Sequence, residues 1–189
     1  MNIVGIGSAG CNIAEVFSQY PQYKIFKIDV DISGKGCYNI PKFEEVEQYE
    51  SYDYPKIKSF FKGLKGETTC IIGGSGKVSC GSLKILENIK DRPISILYVK
   101  PDIEMLNEKQ KMIEKVVYNV LQEYTRSGVF KNMMIVNNAE IDQMIGGAPI
   151  IGYYDTLNET LVPTLHMLNY FLNTSPVSGG IPEAKETYR

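Results

Sequence analysis

The chain has 189 residues, 43% hydrophobic and 22% charged, which excludes fibrous and disordered classes and is enough for one domain with a real core. Its net charge of −2 gives no global attraction to nucleic acid or to an anionic membrane, so neither is expected as a partner. Four scattered cysteines (Cys11, Cys37, Cys70, Cys80) without a CxxC pair, and a single histidine, point to reduced thiols in a cytoplasmic protein, with no disulfide or zinc site.

The N-terminus lacks the cations of a signal peptide, and no run of about 18 apolar residues is present to span a membrane. The first apolar run, NIVGI (2–6), leads through Gly5, Gly7 and Gly10 into a helix-like stretch, NIAEVF. Glycines between strand and helix let the backbone approach a phosphate, while the helix start offers bare N–H groups and a positive dipole end. Gly5, Gly7 and Gly10 have the spacing of the dinucleotide fingerprint. Asp29 ends the second strand, KIFKID (24–29), where that fingerprint places a ribose-binding acid. A nicotinamide or flavin oxidoreductase is therefore one reading, although no catalytic acid–base group or substrate domain accompanies it.

Residues 34–58, rich in Tyr, Glu, Pro and Lys, read as an irregular excursion with one short helix. The third strand, TCIIGG (69–74), opens a second glycine cluster, Gly73-Gly74-Ser75-Gly76, expected to precede a helix. A P-loop does not fit: Ile71 stands where its first glycine belongs, and Val78 separates Lys77 from Ser79. Two glycine turns on one sheet can instead hold opposite sides of one phosphate chain, with backbone N–H groups, the Ser79 hydroxyl and the Lys77 charge as donors. Lys77 is equally consistent with a solvated surface lysine.

Two further strands, ISILYV (94–99) and NMMIVN (132–137), flank a helix over 105–125, where Met112, Ile113, Val116, Val117, Val120, Leu121 and Tyr124 follow i, i+3, i+4 spacing. An apolar helix over 153–172 carries His166 as a packing residue and is expected to kink at Pro163. Strand–helix alternation predicts an α/β fold, a Rossmann-like three-layer sandwich of a mostly parallel sheet with helices on both faces. It occupies residues 1–173, with 174–189 as a tail or linker.

Several of these segments resemble the tubulin/FtsZ superfamily. Gly5-Ile6-Gly7-Ser8-Ala9-Gly10-Cys11-Asn12 is similar to its first loop, G-x-G-G-x-G-x-N, and Gly73-Gly74-Ser75-Gly76-Lys77-Val78-Ser79 to a degraded tubulin signature, G-G-G-T-G-[ST]-G. Residues 99–141 resemble the stretch from V-x-x-P-F to I-P-N-D-x-L, and 150–172 the start of the family's central helix. The resemblance implies a guanine nucleotide, GTP or GDP, with a magnesium ion beside it. Its phosphates would meet Gly5, Gly7, Ser8, Ala9 and Gly10 on one side and Gly73, Gly74, Ser75, Gly76, Lys77 and Ser79 on the other. Tyr154 and Asn158 fall where the family stacks and reads guanine. They are four apart, on one helix face, and Asn12 approaches from the other side. Ordinary core and surface roles remain open for both. Asp31 resembles the acid of the family's N-T-D-A loop and is the candidate magnesium residue, equally consistent with a surface carboxylate.

The family completes hydrolysis with an N-x-D-x-x-D loop inserted from the next subunit. Here SPVSGGIPEA (175–184) aligns with it, with Ile181 and Ala184 at the acid positions and Glu183 one residue out of register. No catalytic residue is assigned, and weak or no turnover is expected. The chain reaches Arg189 before the family's second domain, so head-to-tail polymerisation is expected to be impaired. Partners would be the nucleotide, the chain itself, or a tubulin/FtsZ homologue. In a third reading the chain is a degenerate member that binds such a homologue without nucleotide.

Overall fold

The computed structural model of the chain describes residues 1–174. In chain order its elements are β1 (Asn2–Ile6), α1 (Gly7–Phe17), β2 (Lys24–Val30), β3 (Cys37–Ile40), α2 (Val46–Ser51), α3 (Ile57–Phe60), β4 (Thr68–Gly73), α4 (Ser82–Leu86), β5 (Ile94–Lys100), α5 (Glu108–Arg126), β6 (Asn132–Asn137), α6 (Asn138–Met144) and α7 (Tyr153–Asn173). All six strands are parallel, in the order β3-β2-β1-β4-β5-β6. The sheet is thus an α/β sandwich of the doubly wound kind.

Every residue of β1 and β4 is buried, as befits central strands covered on both faces. Alternate residues feed two separate cores. Val4, Ile6, Cys70, Ile72, Ile96 and Tyr98 face Ile85 and Leu86 of α4 and Ile113, Val117 and Leu121 of α5. Ile3, Ile71, Leu97 and Val99 face Ile13, Ala14 and Phe17 of α1 and Leu161, Val162 and Leu165 of α7. Each large aliphatic side chain so buried contributes about 1.5–3 kcal/mol over its exposed state.

Three expectations shift. The helix periodicity begins at 105, but α5 starts at Glu108 because Asn107 caps it: its Oδ1 accepts from the Gln110 N–H at 2.9 Å and the Gln110 Oε1 accepts from the Asn107 N–H at 3.1 Å. The excursion over 34–58 is ordered. It supplies the edge strand β3, paired with β2, then α2 and α3, and it buries Tyr49, Tyr54 and Ile57 in the core. The second glycine cluster leads into a 3₁₀ turn, Lys77–Gly81, and only then into the five-residue α4. At Gly81 a β-carbon would lie 2.0 Å from the Tyr54 hydroxyl, so the excursion packs directly onto this turn.

His166 packs as expected. It stacks on Tyr20 with ring centroids 3.8 Å apart and shares a hydrogen bond with the Tyr23 hydroxyl at 3.0 Å, joining α7 to the turn between α1 and β2. The α7 helix runs through Pro163 to Asn173. The aligned hydrolysis loop, 175–184, lies outside the described residues, as does nearly all of the expected tail. Among the described residues no helix is long and apolar enough to cross a membrane.

Candidate functional site

In this strand order the chain leaves β1 towards β2 and β3 on one side, and β4, β5 and β6 lie on the other. The order therefore reverses between β1 and β4, and ligands bind beyond the carboxyl ends of strands at such a switch point. A cavity of about 460 Å³ opens there, and residues at or just after the ends of all six strands line it: Gly7, Asp29, Lys42, Gly73, Pro101 and Asn138, in that order.

The first glycine turn divides into two roles. Gly7, at φ +73°, turns the chain from β1 into α1, and the Gly7, Ser8 and Ala9 positions line the cavity. The first turn of α1 has no side-chain cap and no acidic residue, so its leading N–H groups and dipole end remain uncompensated. Gly5 and Gly10 lie behind the wall instead. A β-carbon on Gly5 would meet the Gly10 carbonyl oxygen at 2.4 Å, and one on Gly10 the Ile71 carbonyl oxygen at 2.3 Å. These two glycines allow α1 to lie hard against β1 and β4, and neither lines the cavity.

The second turn meets the first, since a β-carbon on Gly73 would lie 2.8 Å from that of Ala9. Gly73, Gly74, Ser75, Gly76, Lys77 and Ser79 all line the cavity. The Gly74 N–H, however, donates to the Val99 carbonyl at 3.0 Å, and the Ser79 hydroxyl donates to the Gly73 carbonyl at 2.5 Å. Both of these expected donors are spent on shaping the turn. Gly74 must be glycine because a β-carbon would lie 2.2 Å from the Tyr98 hydroxyl. That hydroxyl donates to the Glu114 Oε1 at 3.0 Å, and burial pushes its pKa up. Lys77 reaches over the excursion, its Nζ donating to the Glu44 carbonyl at 2.6 Å.

Asn12, Tyr154 and Asn158 line the same cavity. Tyr154 is 57% exposed, which makes it a wall residue and not core. Asn158 is 9% exposed and lines the cavity, and among the described residues no buried side-chain nitrogen or oxygen lacks a hydrogen-bond partner.

Asp31, the candidate magnesium residue, stands exposed at φ +52° and does not line the cavity. Asp29 does line it and is buried. Its Oδ2 accepts from the Ser8 hydroxyl at 2.8 Å and its Oδ1 from the Val30 N–H at 2.9 Å. Among the described residues no three His, Cys, Asp or Glu side chains gather to hold a metal ion. Behind this wall the buried Cys11 thiol is pushed up to about 12, first by burial and then by the Asp29 charge. Lys42, Phe43, Pro101, Gln110 and Asn138 are cavity residues to which the sequence reading assigned no role. The signal available for three of them is position, since Lys42, Pro101 and Asn138 each follow a strand end.

No protein-family model matches the sequence, and no curated protein matches it. Among solved structures, an empty FtsZ dimer from M. jannaschii superposes with a TM-score of 0.71 at 12% identity, over 98% of this chain and 59% of that one. The chain thus spans less than two thirds of that protein's length. At this identity the likeness is one of fold: the chain has the tubulin/FtsZ-type α/β fold that its motifs imply.

Proposed function

We propose that the chain is a guanine-nucleotide-binding module of the tubulin/FtsZ type, acting in assembly or its regulation, with little or no hydrolysis of its own. The observation that carries this reading is the convergence of both glycine turns with Asn12, Tyr154 and Asn158 around one cavity. The bare N–H groups of the first turn of α1 would hold phosphate oxygens from one side, helped by the helix dipole. The amides of Ser75 and Gly76 would hold them from the other. The Tyr154 ring would stack on the purine. The Asn158 amide would pair with its edge, where guanine sets an O6 acceptor beside N1–H and N2–H₂ donors, and Asn12 would close the base or ribose side. Self-association or binding to a tubulin/FtsZ homologue follows as the assembly role of such a module.

Displacement of a fluorescent GTP analogue tests this. GTP and GDP should compete while ATP and NAD do not, and mass spectrometry of nucleotide released from freshly purified, heat-denatured protein should find guanine nucleotide. Absence of micromolar binding overturns the reading. The buried Asp29 in the cavity favours one second reading, a dinucleotide with its ribose on that acid. Competition by NAD in the same assay would select it.

A further inference from the structure

The β6 strand, NMMIVN, is the open edge of the sheet beyond β5. It carries no charge, proline or glycine, and so lacks the devices that blunt an edge against pairing. The opposite edge, β3, is only four residues long and is followed at once by Pro41. Apart from the ladder with β5, no backbone hydrogen bond among the described residues reaches 132–136. Ile135, in the middle of this edge, is 50% exposed.

An apolar seam on α5 runs beside it. Ile113, Val117 and Leu121 face the core, and Glu114 faces β4, since a β-carbon on Gly74 would lie 3.1 Å from its Cγ. Met112, Val116 and Val120 occupy the other flank, on the β6 side, where Met112 is 70% and Val116 53% exposed. Lys109 and Glu123 extend this flank at opposite ends, each three residues beyond the last apolar one. The seam is therefore symmetric about Val116 in spacing and complementary in charge. Tyr98 is the register partner of Ile135, and its hydroxyl donates to the Glu114 Oε1 at 3.0 Å. Because α5 runs antiparallel to β6, rising about 1.5 Å per residue against about 3.3 Å, Val116 stands level with Met134.

We propose that β6 and this flank of α5 form the interface of a two-fold symmetric dimer of this chain, its axis passing Met134 and Val116. Antiparallel pairing of β6 with its copy sets Met134 opposite Met134 and Met133 opposite Ile135 of the second copy, which joins the two sheets into one. The same axis lays the two α5 helices antiparallel. Val116 then meets Val116, Met112 meets Val120, and Lys109 meets Glu123, whereas parallel helices would set like charges together. The Lys109 pair with Glu45, at 3.3 Å between two exposed side chains, is of the kind that contributes little and is readily exchanged. The contact is isologous and closes on itself, and none of its residues lines the cavity.

Sedimentation equilibrium of the full chain without added nucleotide tests this, at concentrations up to about 100 µM, where an interface of standard size is dimeric. A monomer–dimer equilibrium with no larger species is expected. Val116→Lys and Ile135→Lys should each raise the dimer Kd by about tenfold or more. Lys109→Glu and Glu123→Lys should each weaken the dimer by about tenfold, and combining them should recover most of the affinity, which a loss of fold would not reproduce. All four side chains are exposed, so the dilute monomers should keep the parent's circular dichroism. A chain that stays monomeric, that forms open-ended larger species, or whose dimer ignores Val116→Lys and the charge reversals overturns the inference. The nucleotide reading stands or falls separately, by its own competition assay.

Discussion

Gly73 and Ala9 touch so closely that a methyl group on Gly73 would lie 2.8 Å from the Ala9 β-carbon. This contact is the seam between the two glycine turns. It makes one cavity out of elements more than sixty residues apart in sequence, with close-packed glycines on both sides of it.

Substitution at Gly10 should therefore be far more damaging than at an ordinary glycine. In Gly10→Ala the new methyl would press the Ile71 carbonyl oxygen at 2.3 Å, where only backbone can yield. A loss of about 3 kcal/mol is expected by denaturant unfolding, at the upper end for overpacking. Gly63→Ala is the control. Nothing lies within 4 Å of its added carbon and its φ is not positive, so its stability should stay within about 0.5 kcal/mol of the parent.

Tyr154→Ala should separate binding from folding. The ring is 57% exposed, so the melting temperature should not move. Loss of a stacked base is worth about 1–3 kcal/mol, so GTP affinity should fall by roughly tenfold or more, and Tyr154→Phe should restore it. Asn158→Ala should instead erode the preference for GTP over ATP, read from paired competition curves.

Alkaline pH should weaken the fold through its buried thiols and phenols. Burial, and then the Asp29 charge, push the Cys11 thiol up to about 12, well above its ordinary range, and burial raises Tyr54, Tyr98 and Cys70 as well. A group protonated more tightly in the folded state stabilises it fully below the unfolded pKa, and that contribution is lost as pH rises towards the folded pKa. Urea midpoints should be level from pH 6 to 8 and fall from about pH 9 upward, with Cys11 alone contributing about 1–2 kcal/mol of loss by pH 10.5. In native protein at pH 8, Cys11 and Cys70 should resist iodoacetamide, as shown by peptide mass mapping.

Ligand should stabilise by mass action. At GTP one hundred times above its Kd the gain is about 2.7 kcal/mol, a rise of roughly 5–10 °C in the melting temperature for a chain of this size. ATP at the same concentration should give no such rise.

Much of this molecule was legible in local pattern. Apolar runs of strand length gave β1, β2, β4, β5 and β6, helical spacing gave α5 and α7, and glycines at two strand ends marked the turns that line the cavity. The i, i+4 spacing of Tyr154 and Asn158 put both on one wall. These features are local because strand period, helix period and turn chemistry act over a few residues. What tertiary structure alone decided lies in contacts between distant segments. β3 forms because β2 offers it an edge, and Tyr49 and Tyr54 are buried because the 3₁₀ turn after β4 leaves a glycine-sized space for them. The division of the glycines into those that face the cavity and those that admit the α1 backbone is likewise set by three-dimensional approach. Lys42 enters the cavity wall for the same reason, carried there by a link that Lys77 holds from 33 residues away. Spacing within the chain carries no information about such meetings, because they depend on how separately formed elements close upon one another.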